Sequence, residues 1–480
     1  YDRTFLAGTL REAWRRRWRL YLGLGAAWIW LGWLVLAFPV TTAGRGPDTL
    51  PPLAYALTQG PVLLGYLRLA VWPAPLVFDY GLGPSAPMAA LWSWALIGTL
   101  AALSAAACAR RSGAGFLGAM VWLTLAPSSS VFPIGDVMAE HRMYLALAAI
   151  IILAVLLAER MLRLAVAGGR RAPLAASVLA IVVGVFTAMT AARNEAYYSR
   201  AGMWSDVIAK RPENARAHYN LGIALAERGR ADDAIAAYRR TLALRPDYAE
   251  ALNAWGAALV RTGRELEARP YFEAALALWP ESPDAQMNLG DLAFRSGDWV
   301  EAEARYASAA AADPALADVR HRLGIALAQQ GRAEDALAWY REALSMSPDD
   351  AEIEHSLGVA LAMRGRFADA RGHLERAVGL RAGYAEARNS LGAVLAQQGE
   401  WDAAERELRA ALAIRPDYAD AHANLGHVLL ERGDADGAIG HMTEALRLNP
   451  GSGALREHLA RAQARRGVLS GGITASPAPR

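Results

Sequence analysis

Cysteine is almost missing from this chain: Cys108 is the single one among 480 residues. That excludes an intramolecular disulfide framework and any site built from several thiolates. Cys108 lies in an apolar run and reads as a small buried hydrophobe, and the lack of disulfides fits any compartment. A basic track is also missing. Residues 1–200 hold 17 Arg and Lys against 8 Asp and Glu, whereas the remainder holds 33 against 39. The mildly acidic larger part lacks the cationic stripe that phosphate binding requires, which excludes nucleic acid as a partner. His218, His321, His355, His373, His422, His441 and His458 are scattered without metal-ligand spacing. No metal site and no tightly bound cofactor are therefore expected, and the second half shows no catalytic constellation. The chain opens at Tyr1 with neither an initiator Met nor a signal peptide, and reads as a piece of a longer protein.

The first half is rich in long uncharged stretches. A membrane-spanning helix needs about 20 apolar residues, and 20–40, 86–109, 115–134, 143–158 and 172–192 meet or approach that length. The fourth is short, but Arg160 at its end can snorkel to the interface. Residues 53–77 are also apolar, yet carry Gln59-Gly60-Pro61, Arg68, Pro73 and Pro75. With five crossings the arginine clusters at 11–19, 110–111 and 160–171 share one side, as the positive-inside rule requires. A sixth crossing at 53–77 breaks that agreement, so this segment is expected to be interfacial or re-entrant. Trp14, Trp18, Trp28, Trp30 and Trp33 suit an aromatic belt. Five crossings from a cytoplasmic start place everything after Ala192 on the extracytoplasmic side, periplasmic or luminal.

The second half is periodic. Pro212, Pro246, Pro280, Pro314, Pro348, Pro416 and Pro450 fall in one 34-residue register, with Ala382 in the gap. Gly222, Gly256, Gly290, Gly324, Gly358, Gly392 and Gly426 keep the same step. That period is a helix–turn–helix unit that buries its apolar face by stacking on copies of itself. Counting from Ala215, repeats run 215–248, 249–282, 283–316, 317–350, 351–384, 385–418 and 419–452. The eighth position is Gly and the twentieth is Ala, small residues where two helices must cross closely. A second glycine series, Gly229 to Gly433, marks the turn between the helices. Large residues at the twenty-fourth position, from Tyr238 to Met442, are expected to fill the gap between repeats, and the Pro ends the second helix.

At these signature positions the pattern resembles the tetratricopeptide repeat. The fold class is all-α: a polytopic transmembrane bundle at 1–192, a connecting helix at 193–214, seven repeats in a superhelical solenoid at 215–452, a capping helix at 453–466 and a disordered tail at 467–480. Trp204 and Pro212 place the connecting helix in register as a lone second helix, continuing the fifth span. Asn220, Asn253, Asn288, Asn389 and Asn424 lie on first helices, where an amide can pair with a bound peptide backbone. They read equally as ordinary polar helix residues.

Charges beside apolar spans are the candidates for chemistry. One group is Asp136, Glu140, His141, Arg142 and Tyr144; the other is Gln59, Tyr66, Arg68, Asp79 and Tyr80. An Arg beside a His at the lipid boundary suits a lipid-linked phosphate, and a carboxylate nearby suits a general base; solvated loops carry such charges too. The strings Tyr66-Leu67-Arg68-Leu69, Trp72-Pro73, Asp79-Tyr80 and Ala139-Glu140-His141-Arg142-Met143-Tyr144-Leu145, leading into the repeats, resemble the transmembrane-and-TPR family. These are protein O-mannosyltransferase-like glycosyltransferases of the GT-C class. The resemblance implies a polyprenyl-phosphate sugar as substrate, an extracytoplasmic site, and Arg142, His141, Glu140 and Arg68 as donor-phosphate residues. The family's acidic catalytic motif is absent, and Ala146 stands where relatives often have Pro, so the catalytic residues and any divalent ion stay open. Two functions are expected from different classes. One is part of a membrane glycosyltransferase whose repeats bind a polypeptide acceptor; the other is a non-catalytic membrane-anchored scaffold for protein partners in envelope assembly or secretion.

Overall fold

The computed structural model describes residues 52–71, 77, 79–80, 84–110, 112–125, 144–165 and 171–471, with isolated positions in the first 22. Within these residues every regular element is an α-helix. The chain divides into two compact units, 1–258 and 259–480, with the boundary inside the helix Ala249–Arg261. The first repeat thus belongs with the helices that precede it, which composition alone does not suggest.

In the first unit α1 spans Pro52–Val71, α2 Pro87–Ala109, α3 Gly113–Leu125, α4 Tyr144–Ala165, α5 Arg171–Ala196 and α6 Arg200–Lys210. The segment expected to be interfacial or re-entrant forms one continuous helix, α1. Its Tyr55, Val62, Leu63, Tyr66 and Leu69 are buried at helical spacing, so one face packs inward. Gly60 lets α2 approach α1: a Cβ there would stand 3.0 Å from Trp94 Cδ1, and Trp94 Nε1 donates to the Ala56 carbonyl at 3.2 Å. Trp122 Nε1 of α3 similarly donates to Ser104 Oγ of α2 at 3.2 Å.

Among the described residues two helices are long and apolar enough to cross a bilayer, Pro87–Ala109 and Pro173–Ala192 within α5. The expected bundle of about five spans is therefore not supported by the described residues. Residues 20–40 lie almost wholly outside the described residues. The third expected span is described only as α3, whose 13 residues extend about 20 Å, short of the ~30 Å hydrocarbon core. α4 carries Glu159, Arg160 and Arg163 in its last turns. α5 and α6 are also separate rather than one rod. Ser199 caps α6, accepting from the Gly202 amide at 3.0 Å, and the local extended backbone at Ser199 ends any continuous helix.

Each repeat is a 13-residue first helix and a 14-residue second helix, as in Ala317–Gln329 with Ala333–Met346. Between them Gly331 adopts φ +79°, and the Arg332 amide reaches back to the Leu327 carbonyl at 3.0 Å. This left-handed cap closes the first helix and needs no Cβ. The twenty-fourth position corrects the expected packing: Tyr340 lies over Gly324 of its own repeat, Leu374 over Gly358 and Met442 over Gly426. The glycine, expected where the two helices of a pair cross, is the slot that receives this side chain. In the second unit Leu323, Leu327, Leu357, Leu361, Leu391 and Leu425 join these residues in one buried core. The terminal helix Gly453–Gly471 runs past the boundary expected for the cap, seating Leu455 and Ala462. Residues 472–480 lie outside the described residues.

Candidate functional site

Asp79 belongs to the second candidate group, and the structure gives it a firm mechanical place. Its side chain is 5% exposed, and both carboxylate oxygens accept from Arg216, at 2.6 Å from Nε and 2.6 Å from Nη2. Asn214 donates to the Asp79 carbonyl at 3.2 Å while its Oδ1 caps the first repeat helix by accepting from Ala217. Arg211 stands 5.8 Å from the Tyr80 ring centre. Trp204, Val207 and Ala217 share a core with Tyr66, Val77 and Tyr80. The Asp79-Tyr80 string therefore seats the first repeat on α1. Arg68 projects from α1 as an exposed side chain, while Gln59 and Tyr66 are buried. Asp136, Glu140, His141 and Arg142 lie outside the described residues.

The asparagine series divides. Asn220 donates to the carbonyl of Arg216, one turn back in its own helix, at 2.9 Å. Asn253 and Asn288 are half-buried on their first helices. Asn389 is buried; its Oδ1 accepts from Asn424 Nδ2 at 2.9 Å, and its Nδ2 reaches Tyr418 at 3.4 Å. That contact has two counterparts at the same register, position five of one repeat to position six of the next. His321 Nε2 meets Ser356 Oγ at 2.9 Å, and His355 Nε2 meets Ser390 Oγ at 3.0 Å. The result is a polar ladder that ties consecutive first helices. Burial foremost holds the His321 and His355 pKa values below the usual imidazole range. Positions nine and twelve share this helix face. There Ile325, Val359, Ala393, Ala328 and Ala362 are half-buried and apolar. A bound segment would meet an apolar strip beside a ladder whose polar atoms are already engaged.

A second pattern went unread in the sequence. At position four a side-chain donor recurs that reaches the carbonyl six residues back, at the end of the preceding turn. His218 Nε2 donates to Pro212 at 3.0 Å, Gln286 to Pro280 at 3.4 Å, Arg388 to Ala382 at 3.0 Å and His422 to Pro416 at 2.9 Å. Such carbonyls follow a helix end and lack a backbone partner. The same position pairs with the second helix of its repeat: Arg320 with Glu342 at 2.7 Å and Arg388 with Glu407 at 2.7 Å. Glu354, almost fully buried, accepts from His373 Nδ1 at 2.6 Å and Arg376 Nε at 2.7 Å. The available signal was charge complementarity between columns four and twenty-three or twenty-six of the repeat.

These pairs give neighbouring grooves different charge. A cavity of about 410 Å³ between the fourth and fifth repeats is bordered by Arg341, Arg366, His373 and Arg376. At the next groove, of about 230 Å³, Glu375 and Glu407 occupy the positions of Arg341 and His373. Each groove also carries the opposite charge, Asp369 at the first and Arg371 and Arg406 at the second.

Family models described as Tetratricopeptide repeat match residues 201–249, 253–317, 316–383 and 419–452, and one described as TPR repeat matches 394–433. No curated protein matches the chain. Among solved structures the chain is similar to one in the APC/C hetero-tetramer Cut9–Hcn1, at 20% identity and a TM-score of 0.47. That match covers 55% of this chain and 52% of the other, so this chain spans about half its length. It is also similar to PilF of Pseudomonas aeruginosa, at 22% identity and TM-score 0.41, covering 46% of this chain and 98% of that one. YrrB, described as a TPR protein with an unusual peptide-binding site, matches at 24% identity and TM-score 0.33 over 40% and 97% of the two chains.

Proposed function

We propose that this tetratricopeptide-repeat chain is a membrane-anchored scaffold that docks polypeptide partners. The observation that carries the anchor is the apolar window Pro173–Ala192, none of which is buried. Leu174, Val178, Ile181, Val183 and Phe186 face outward all around α5. α2 and α4 add exposed Leu91, Trp92, Leu103, Ile152 and Val155. A helix apolar on every side and uncovered by protein needs another apolar phase, and a bilayer supplies it. Docking is supported by the repeats themselves and by the apolar strip through Ile325 and Val359. With an odd number of crossings, the arginine clusters at 11–19, 110–111 and 160–171 would place the array on the extracytoplasmic side. Expressed in cells, the chain should stay with membranes through an alkaline carbonate wash and float with lipid on a density gradient. Quantitative release into the wash would remove the anchor.

Sugar transfer from a polyprenyl-phosphate donor is the finer reading. It rests on the resemblance of the strings holding Arg68, Glu140, His141 and Arg142, with Arg68 exposed on α1. In a protein that includes the missing acidic motif, Arg142→Ala should abolish transfer; undiminished transfer would discard the reading.

A further inference from the structure

Granted that the chain docks polypeptides, the reading on which this rests, we propose that one groove of the first unit receives an amphipathic helix of a partner protein with an acidic residue beside its apolar face. The groove runs between α6 and the second helix of the first repeat, Ala231–Leu244. α6 has the register of a second helix without its own first helix. Counted back by one repeat, the first-helix positions fall at 181–193, almost wholly inside the apolar window of α5. α6 still stacks on the first repeat, where Trp204 and Val207 share a core with Ala217. The groove holds a cavity of about 460 Å³ over Leu221, Leu225 and Ile208. In the equivalent groove between the fourth and fifth repeats, Arg341 and His373 stand at the positions of Ser205 and Ala237 here. In the groove between the fifth and sixth, Arg406 stands at the position of Ala236. Small residues at all three positions leave the apolar floor uncovered.

The rim carries one cation more than it needs. Arg230 is paired with Asp233 at 2.7 Å, as Arg366 is with Asp369 at 2.6 Å in the fifth repeat. Arg240 stands at the position of Arg376, which the buried Glu354 at position four neutralises at 2.7 Å. Position four here is His218, which donates to the Pro212 carbonyl instead. Among the residues lining the groove no second carboxylate remains for Arg240. An apolar floor beside an uncompensated guanidinium suits an apolar side chain with a carboxylate close by. The walls are helices and offer no strand edge, so an extended segment on this floor would bury unpaired amides. A helix arrives with its backbone bonds already made. α6 has 11 residues and is about 16 Å long, which matches about three turns of a partner helix. Its apolar residues recur at i, i+3 or i+4, and i+7, and an Asp or Glu one turn away meets Arg240.

The test uses the full chain in phosphatidylcholine nanodiscs, probed with a displayed library of helical peptides of about 12 residues whose apolar and charged positions are randomised. Selected peptides should bind saturably and share the apolar spacing with an adjacent Asp or Glu. Ser205→Glu and Ala236→Arg place side chains that the array already holds at the equivalent exposed positions, Glu375 and Arg406. They carry opposite charges, so a loss common to both reports the covered floor; each should weaken binding at least about 10-fold. Arg240→Glu should weaken it about 5-fold, as expected for an exposed ion pair. Exchanging the peptide's acidic residue for Lys should restore binding to Arg240→Glu and weaken binding to the parent. Binders that none of the three variants affects would leave docking elsewhere on the array and overturn this groove. A library without any binder would overturn the groove and count against polypeptide docking itself. Displacement of the peptides by phosphatidylserine-rich vesicles would mark a lipid site, and that result, or a charge exchange without recovery, would also overturn the proposal.

Discussion

Three glycines of the second unit should respond to alanine for three different reasons, two losing stability and one gaining it, and the geometry sets the sign. A Cβ on Gly324 would stand 2.5 Å from Cε1 and 2.7 Å from Cδ1 of Tyr340. Ordinary contact begins near 3.4 Å, so the ring must retreat by nearly an ångström. It is only 3% exposed, tilted against His321 at 5.7 Å, and shares a core with Leu323, Ala336 and Leu337. Overpacking of that kind costs about 1–3 kcal/mol, and the higher helix propensity of Ala returns about 1 kcal/mol. A rigid ring favours the upper part of the range, giving a net loss of about 1–2 kcal/mol. Gly331→Ala meets nothing within 4 Å but must hold φ +79°, a loss of about 1–2 kcal/mol from backbone strain alone. Gly372 lies inside the helix Phe367–Leu380, also with nothing within 4 Å of its Cβ position. Gly372→Ala should therefore gain about 0.5–1 kcal/mol. Urea midpoints order the three variants. Hydrogen exchange of 317–346 locates the loss, because repeat arrays need not unfold as one unit. A Gly324→Ala variant at least as stable as Gly372→Ala would refute the slot argument.

Asp79→Ala should unseat the first repeat. Losing a bidentate bond to a charged partner costs about 1.5–3 kcal/mol, and faster exchange across the helix Ala215–Glu227 should report it. An Arg216→Ala background should make the Asp79 change nearly silent, and additive losses would show the pair to be uncoupled. The ladder histidines predict a pH dependence. His321 and His355 have folded pKa values below the reference 6.5, so the unfolded chain binds their protons first as pH falls. Their contribution is full above about pH 6.5 and is lost progressively below it, toward the lower folded pKa values. Replacing both with Gln should flatten the drop in urea midpoint between pH 7.5 and 5.5; an unaltered slope would locate the sensitivity elsewhere.

Residues under a repeated local demand were legible. The Gly229–Gly433 series sits where a left-handed cap recurs, and Gly222–Gly426 where a large side chain of the same repeat must enter. Each need is met within a few tens of residues and comes back seven times. The long apolar helices were legible in place, but the packing of α1 was not: its buried Tyr55, Val62 and Tyr66 are set by neighbours that the sequence does not name. The position-four pairs were missed because the partner changes chemistry and spacing from copy to copy. Arg320 finds Glu342, 22 residues on, while Arg388 finds Glu407, 19 residues on.

Sequence alone determined the period, the helix pairing and the apolar character of the helices before the array, because these follow from backbone geometry and composition repeated along the chain. Tertiary structure decided which polar groups meet. Asp79 and Arg216 are separated by 137 residues, and nothing local in either marks the other. The same holds for the ladder. A hydrogen bond depends on atoms within about 3 Å, and only the packed helices bring them to that distance.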